Sequence, residues 1–435
     1  MKNRVRIILL PLGDILTLII AFFIMIGLAF PGKASPLVVN SHFLPFSIVI
    51  GIWLFVFFLF NLYEAQSIKP TIPNLRRIGS ASMVALTASM ILFYVTPIFG
   101  ITPKTNLVIF SIIFVLLFIT WRRFFYNTFS IYFRKRVALI DSNKDSIPVM
   151  EIANYIETYP QSGFFIFGIY SSINEFLENW NGVPVDTLIV SKNALKGTKD
   201  LKLIYSSIEN ISDLTYAYED MLGKVPVDSI DETWFLHNIR GTSKNFYNTI
   251  VYFTNIITAL LLLLIISPLL LLVALLVKLE DGGPIFYTQL RVGQNGKTFK
   301  LYKFRSMIVN SETNGAVWAG KNDNRITHIG KIIRKIHIDE IPQMINILKG
   351  DLSFVGPRPE RPEFVAQLEK TIAHYELRHI IRPGFTGWAQ IKYRYAKTIE
   401  DSKEKFEYDL YYIKNRNFFI DFGIILRTIQ IIFTH

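Results

Sequence analysis

Cysteine is absent from all 435 residues. That excludes a disulfide framework, a thiolate metal site and a catalytic thiol, and it permits a reducing compartment without requiring one. Acidic residues are in deficit: 34 Asp and Glu against 46 Lys and Arg leave a net charge of +12. Such a balance suits nucleic acid, an anionic membrane face or phosphorylated substrates. No charged side chain occurs between Lys244 and Lys278. Hydrophobic residues make up 51% of the chain, 36 of them Phe. This is the composition of a membrane protein, long enough for two or three domains.

The first apolar stretch, from about Ile7 to Phe30, lacks a small-residue cleavage site and is too long for a signal-peptide core. It reads as a retained span. Further candidates lie near Phe43 to Leu62, Ile78 to Phe99 and Asn106 to Trp121, close to the ~20 residues that a bilayer requires. Basic residues divide unevenly between the connecting segments. Lys2, Arg4, Arg6, Lys69, Arg76, Arg77, Arg122, Arg123, Arg134, Lys135 and Arg136 fall on one side, and Lys33 and Lys104 on the other. Eleven against two predicts four helices with the N-terminus and everything after residue 121 in the cytoplasm. The charge therefore tracks a membrane face, and nucleic acid is not an expected partner. Asp14, near the cytoplasmic end of the first span, reads as a paired structural carboxylate.

From Arg136 the texture changes to short apolar runs between polar, helix-like pieces. "RVALID" (136 to 141), "GFFIFGIY" (163 to 170) and "DTLIVS" (186 to 191) read as strands, with helical patterns at Met150 to Tyr159 and Ile173 to Trp180. The order predicts a small Rossmann-like α/β domain with a parallel sheet. Its first turn, "DSNKDS", lacks the glycines that let a backbone approach a pyrophosphate. A structural or regulatory role is favoured over small-ligand binding.

Val251 to Val277 is long enough, at about 40 Å as a straight helix, to cross the membrane. Ser267-Pro268 interrupts it. Proline removes a backbone donor, so a bend is expected there, and Ser267 is placed to bond a freed carbonyl. Both flanks are basic: Arg240 and Lys244 before, Lys278, Arg291, Lys297, Lys300, Lys303 and Arg305 after. A helix over about 251–279 that breaks, dips into one leaflet and returns satisfies length, kink and charge together. A Pro-kinked full span is the alternative.

Beyond it, "QNGK" signals a β-hairpin turn. In "IDEIPQMINILKG", Pro342 is tolerated only in a first turn, so Asp339 and Glu340 should open a helix. Helix starts favour anions, and Arg334 and Arg358 are near in sequence. One carboxylate could attack phosphorus while the other holds Mg²⁺. The plainer reading makes Asp339 an N-cap and Glu340 a first-turn charge. His328, His337 and His379 show no metal-ligand spacing and read as solvated or packing residues.

The segment from about Lys278 onward resembles the bacterial sugar transferase family, the polyprenyl-phosphate sugar-1-phosphate transferases. The resemblance rests on "SP" within an apolar helix, "GGPIFYTQLRVGQNGKTFKLYKFRSM", "IDEIPQMINILKGDLSFVGPRPE" and "RPGFTGWAQI". More weakly, it extends to the layout of the family's long members. It implies residues 1–135 as four transmembrane helices, 136–237 as the Rossmann-like domain, and 238–435 as a mostly α catalytic domain with the re-entrant helix and the hairpin. The implied reaction passes a sugar phosphate from a UDP-sugar to undecaprenyl (polyprenyl) phosphate, releases UMP and starts assembly of a surface glycan on membrane lipid. By resemblance Asp339 is the nucleophile that forms a phosphosugar intermediate, Glu340 contributes to Mg²⁺ binding, and Lys303, Arg305, Arg334 and Arg358 bind phosphates. The bacterial inner membrane, with the soluble domains on its cytoplasmic side, and a homodimer are implied in the same way. The rival class is a non-catalytic scaffold that recruits glycan-assembly enzymes.

The sequence also departs from the family. Members often carry a Lys-Arg pair and an Asp early in the re-entrant helix, where this chain has Val251, Tyr252 and Asn255. Near the C-terminus, "FEYDLYYIKNRNFFIDFGIILRTIQIIF" reads either as an amphipathic helix in the interface, with Trp388 as an anchor, or as a stripe packed on the catalytic domain.

Overall fold

The computed structural model describes residues 2–32, 35–63, 65–95, 104–128, 134–195, 201–239, 245–309, 325–393 and 398–434. They form two compact units, Met1–Ala217 and Tyr218–His435.

In the first unit α1 (Lys2–Ala29) and α2 (Pro36–Leu59) are followed by a short α3 (Ala65–Ile68) and then by α4 (Ile72–Val95) and α5 (Lys104–Asn127). All but α3 are long and apolar enough to cross a membrane. α4 starts before the expected Ile78 because Pro73 falls in its first turn, where no N–H is needed. The end of that expected span, 96–99, lies outside the described residues. Phe110, Phe114 and Phe118 recur every fourth residue and so share one face of α5. That face packs on α2, with the Trp53 ring edge-on to Phe114 at 5.1 Å. Asp14 is paired as expected. Arg122 Nη2 donates to its Oδ2 at 2.7 Å, and Arg122 Nη1 donates to Leu62 O at 2.6 Å. Two ionised groups buried among aromatics are tolerable only as such a pair.

The sheet of this unit contains β1 (Lys135–Ile140), β2 (Phe164–Tyr170), β3 (Thr187–Val190) and β4 (Asn210–Asp213), all parallel in the order β2-β1-β3-β4. α6 (Ile147–Thr158), α7 (Ile173–Asn179) and α8 (Leu201–Ser207) alternate with the strands. Ile140, Leu188 and Val190 are buried with Ile173 and Phe176, which is why the strands read as unbroken apolar runs.

Residues 218–237, expected within the middle domain, pack in the second unit. There Val225, Val227 and Trp234 share a core with Phe406, Leu410 and Ile424. Val225 N also donates to Glu407 O at 3.1 Å. α9 (Leu214–Leu222) and α10 (Glu232–Asn238) precede α11 (Asn245–Asp281), one helical segment that contains the expected 251–279 stretch. Pro268 lies inside α11, where its missing N–H would have bonded Leu264 O. Ser267 Oγ donates to that carbonyl instead, at 2.8 Å. Both halves of α11 pack on the same unit. Ala259 lies in a cluster with Met344 and Ile347, and Val273 and Val277 in one with Phe304 and Ile333. Of the basic flanks, Arg240 and Lys244 lie outside the described residues.

β5 (Phe286–Val292) and β6 (Thr298–Phe304) form the expected hairpin, antiparallel, with Asn295 at φ 55° and Gly296 at φ 75° in its turn. α12 (His328–Lys335), α13 (Met344–Lys349), β7 (Ser353–Val355), α14 (Pro362–Thr371), β8 (Gly384–Thr386), α15 (Trp388–Lys392), α16 (Ile399–Asn415) and α17 (Phe418–Thr434) complete the unit. The expected C-terminal amphipathic stretch is thus two helices. Leu410 on α16 is core, while Phe418, Phe419 and Phe422 on α17 are exposed. Trp388 is not a free interfacial anchor. Its ring stacks on Tyr411 at 5.7 Å, and its Nε1 donates to Gly223 O at 2.8 Å.

Candidate active site

Asp339 and Glu340 lie in a 3-10 turn, Ile338–Gln343, that runs directly into α13. Pro342 is the fifth residue of this 3-10 segment and lies just ahead of α13, so it precedes that helix rather than interrupting it. His337, left-handed at φ 56°, turns the chain from α12 into this segment. The dyad opens a helical segment, as the proline requires.

Asn346, one turn further on, is fully buried and fastens α13 to β6. Its Nδ2 donates to Lys300 O at 2.7 Å, and its Oδ1 accepts from Tyr302 N at 3.1 Å. That fastening sets Lys303, the next residue of the strand, beside the dyad. Lys303 Nζ donates to Glu340 Oε1 at 2.6 Å.

Arg358 reaches the same oxygen from the loop after β7, its Nη2 donating at 2.8 Å. Glycine makes this loop's path practicable. β7 and β8 pair parallel, and Gly356 N donates to Thr386 O at 2.9 Å while Gly384 N donates to Pro357 O at 2.9 Å. A Cβ on Gly356 would lie 2.5 Å from Arg382 O, and one on Gly384 would lie 2.1 Å from Gly356 N. The backbones of "VGPRPE" and "RPGFTGW" cross too closely for any side chain there. Below the loop, Arg378 Nη2 donates to Arg358 O at 3.1 Å and to the buried Asp409 Oδ2 at 2.9 Å.

The two carboxylates are held differently. Burial favours the neutral form of Glu340, but Arg358 and Lys303 outweigh it and keep the group well below the usual carboxylate range. Burial pushes Asp339 up, and the charge of Glu340 adds to that; Lys303, Arg334 and His337 oppose it. Asp339 is 8% exposed and makes no hydrogen bond or ion pair among the described residues. Glu340 is a clamped anion, and Asp339 is uncommitted beside it.

The expected cations are not all gathered here. Lys303 and Arg358 meet at Glu340, and Arg334, half-buried in the last turn of α12, acts on Asp339 through space. Arg305 turns to the end of α11, where its Nη2 bonds the Asp281 carboxylate and donates to Val277 O at 3.3 Å. Its Nε and Nη1 are buried without partners among the described residues. Of the histidines, His328 opens α12 and His337 is exposed at the turn before the dyad. His379 is buried, and burial together with Arg378 lowers it to about 4, so it packs as a neutral ring. Arg378 with Asp409 supports the site and gave no sequence signal, while Arg291, read in the sequence only as a basic flank, supports it too, its Nη1 donating to Pro359 O at 3.0 Å.

Among the described residues no three acidic or histidine side chains cluster as a metal site. Glu340 Oε2, however, takes no bond among them. One such oxygen beside several cations fits a Mg²⁺ ion held mainly by substrate phosphates, which is that ion's usual arrangement.

A family described as bacterial sugar transferase matches residues 246–435. The chain is 44% identical over 218 residues to the UDP-N-acetylgalactosamine-undecaprenyl-phosphate N-acetylgalactosaminephosphotransferase of Aeromonas hydrophila, covering 50% of each protein. It is 30% identical over 314 residues to the UDP-glucose:undecaprenyl-phosphate glucose-1-phosphate transferase of Xanthomonas campestris pv. campestris, covering 65% of this chain and 63% of that one. To the exopolysaccharide production protein PSS of Rhizobium leguminosarum bv. phaseoli it is 40% identical over 162 residues, 36% of this chain and 81% of the relative. The chain thus spans between half and two thirds of the first two relatives.

Proposed function

Because the chain belongs to the bacterial sugar transferase family, we propose that it transfers a sugar 1-phosphate from a UDP-sugar to undecaprenyl phosphate, the first step of a lipid-linked surface glycan. An Oδ of Asp339 attacks the sugar-bearing phosphorus. The bond from that phosphorus to the bridging oxygen breaks, and UMP leaves with the electron pair. A phosphate oxygen of the polyprenyl phosphate then attacks the same phosphorus, which restores the Asp339 carboxylate and yields a polyprenyl diphosphate sugar.

The observation that carries this reading is the unequal dyad. Lys303 and Arg358 both bond Glu340, whereas Asp339 is left uncommitted. A nucleophile must be available, and a neighbour that organises cations must be fixed. Arg358, Lys303 and Arg334 supply the positive charge that a diphosphate needs while it is held in line with Asp339. Glu340 would hold Mg²⁺ through its open oxygen, and the bound ion would offset charge developing on the leaving phosphate.

The same reading puts the C-terminal unit on the cytoplasmic face of a bacterial inner membrane, with α11 entering and leaving from one side. Two features support re-entry. Asn255 Nδ2 near one end of α11 donates to Ser353 Oγ at 2.8 Å, and Val277 near the other accepts from Arg305. In addition, the Ser267 hydroxyl already bonds the carbonyl that Pro268 orphans, so a bend there bares no acceptor to lipid.

The test is UMP release by the full chain in nanodiscs supplied with undecaprenyl phosphate, Mg²⁺ and a panel of UDP-sugars. One sugar should support turnover, and Asp339→Asn should lower it by about a thousandfold or more. Without acceptor lipid, the peptide carrying Asp339 should gain the mass of one sugar phosphate. Undiminished turnover by Asp339→Asn would overturn the covalent route.

A further inference from the structure

Lys405 is a cation that the transfer chemistry leaves unused. It lies on α16, four residues before Asp409 and therefore on the same face of that helix. This face meets the loop that carries Arg358, because Asp409 accepts from Arg378 and Arg378 Nη2 also donates to Arg358 O at 3.1 Å. The charges that act on Lys405 are accordingly Glu360 and Arg358 from that loop, with Asp409 and Arg378 beside it.

The spacing invites an ion pair with Asp409, and none forms. Asp409 Oδ1 is buried without a partner among the described residues, so the ammonium is turned away from it. Glu360 is engaged elsewhere, its Oε2 lying 3.6 Å from Arg291 Nη1. Lys405 itself makes no hydrogen bond or ion pair among the described residues. It is half-buried, and burial lowers the ammonium below the usual lysine range; Glu360 opposes that and Arg358 adds to it. A desolvated cation beside two guanidinium groups costs the fold stability, and an arriving anion would offset the cost.

Arg358 has donors to spare on the same side. It gives Nη2 to Glu340, while its Nε and Nη1 make no bond among the described residues and its side chain is 40% exposed. Two cations with unused N–H groups, one on the loop and one on the helix face packed against it, match a phosphate. The charges acting on Lys405 lie on that loop, on α16 and on the 3-10 turn Tyr375–Ile380, and none lies on the membrane helix α11. Such surroundings favour the phosphate of a water-soluble nucleotide over that of a lipid.

We propose that Lys405, together with the free edge of Arg358, holds the phosphate of the UMP portion of the donor. As the bond to the bridging oxygen breaks, its electron pair passes to the oxygen that UMP keeps, and that phosphate gains negative charge. Lys405 then bonds it more strongly than in the intact donor, which favours departure. The inference rests on transfer from a UDP-sugar, but UMP binding can be read without turnover.

Full-length protein in detergent is titrated with UMP and with uridine in the presence of Mg²⁺, without UDP-sugar or lipid acceptor, and binding is followed by calorimetry. Lys405→Met should weaken UMP by about ten- to a hundredfold, the value of one charge-assisted hydrogen bond, and leave the weaker uridine binding unchanged. Lys405→Arg should restore most of the loss. Without ligand, Lys405→Met should melt no lower than the wild-type chain, because a desolvated charge has been removed. Unchanged UMP affinity in Lys405→Met, an equal loss for uridine, or a lower melting temperature of the ligand-free variant would each overturn the assignment, even where the wild-type chain turns over a UDP-sugar. A wild-type chain that neither binds UMP nor releases it from any UDP-sugar would overturn the transfer reading, and this inference with it.

Discussion

Lys303→Met separates the clamp on Glu340 from the rest of the site. The Lys303 to Glu340 contact is 2.6 Å long, and the two side chains are 20% and 16% exposed. Water therefore screens it little, and a charge-assisted hydrogen bond in such a place is worth roughly 1.5–3 kcal/mol. Loss of one partner of a buried pair costs up to about 3–5 kcal/mol. Arg358 remains on the same oxygen, so about 2 kcal/mol is expected. The measurement is a double-mutant cycle of Lys303→Met, Glu340→Gln and the double variant, read by urea denaturation in detergent. A coupling of about 1–2 kcal/mol should appear. The pH dependence has a definite sign. Glu340 is depressed in the fold, so the unfolded chain takes up its proton first as pH falls. Its stabilisation is present above the ordinary carboxylate range and fades on acidification below it. Glu340→Gln should remove that part of the acid sensitivity. A coupling below about 0.5 kcal/mol would refute the clamp.

Other expectations can be checked in the same preparations. Ser267→Ala should destabilise the protein by about 1–2 kcal/mol because it orphans Leu264 O; adding Pro268→Ala restores the backbone donor, so the double variant should melt higher than Ser267→Ala alone. Arg378→Met leaves Asp409 buried without its cation and frees Arg358 O; a loss of about 3–5 kcal/mol, together with a raised KM for the UDP-sugar, would mark it as a positioning residue. Gly384→Ala should abolish folding of the C-terminal unit, since its Cβ would meet Gly356 N at 2.1 Å; normal expression with a wild-type melting temperature would contradict the crossing. His379 is lowered to about 4 in the fold, so the unfolded chain binds the extra proton between about pH 4 and 6.5. Stability should fall as pH drops through that window, less steeply in His379→Gln.

Much of this was legible because it depends on local chemistry. Apolar runs near the length of a bilayer announce the membrane helices, and Pro342 alone places the dyad at a helical start. The Ser267 bond to Leu264 O also follows from the sequence, since proline removes one known donor and serine is the adjacent replacement. What stayed hidden depends on chain crossings. Arg305 reads as a phosphate ligand in the sequence, whereas in the fold it bonds Asp281 at the end of α11. Trp388 reads as a free anchor until Tyr411 covers it. Arg378 and Asp409 are 31 residues apart and meet only through the fold. β4 escaped notice because "NISD" has one apolar residue in an edge strand. Which carboxylate the cations would choose was equally unreadable, since both neighbours carry the same charge.

The two attachments of α11 have a mechanical meaning. Fixed at one end only, a membrane helix lets the unit beyond it swivel and drift from the bilayer surface. Here Asn255 is tied to Ser353, and Val277 to Arg305. Those ties remove the swivel and leave the unit mounted rather than leashed. The position of Asp339 relative to the helix is then set by side-chain packing within the unit.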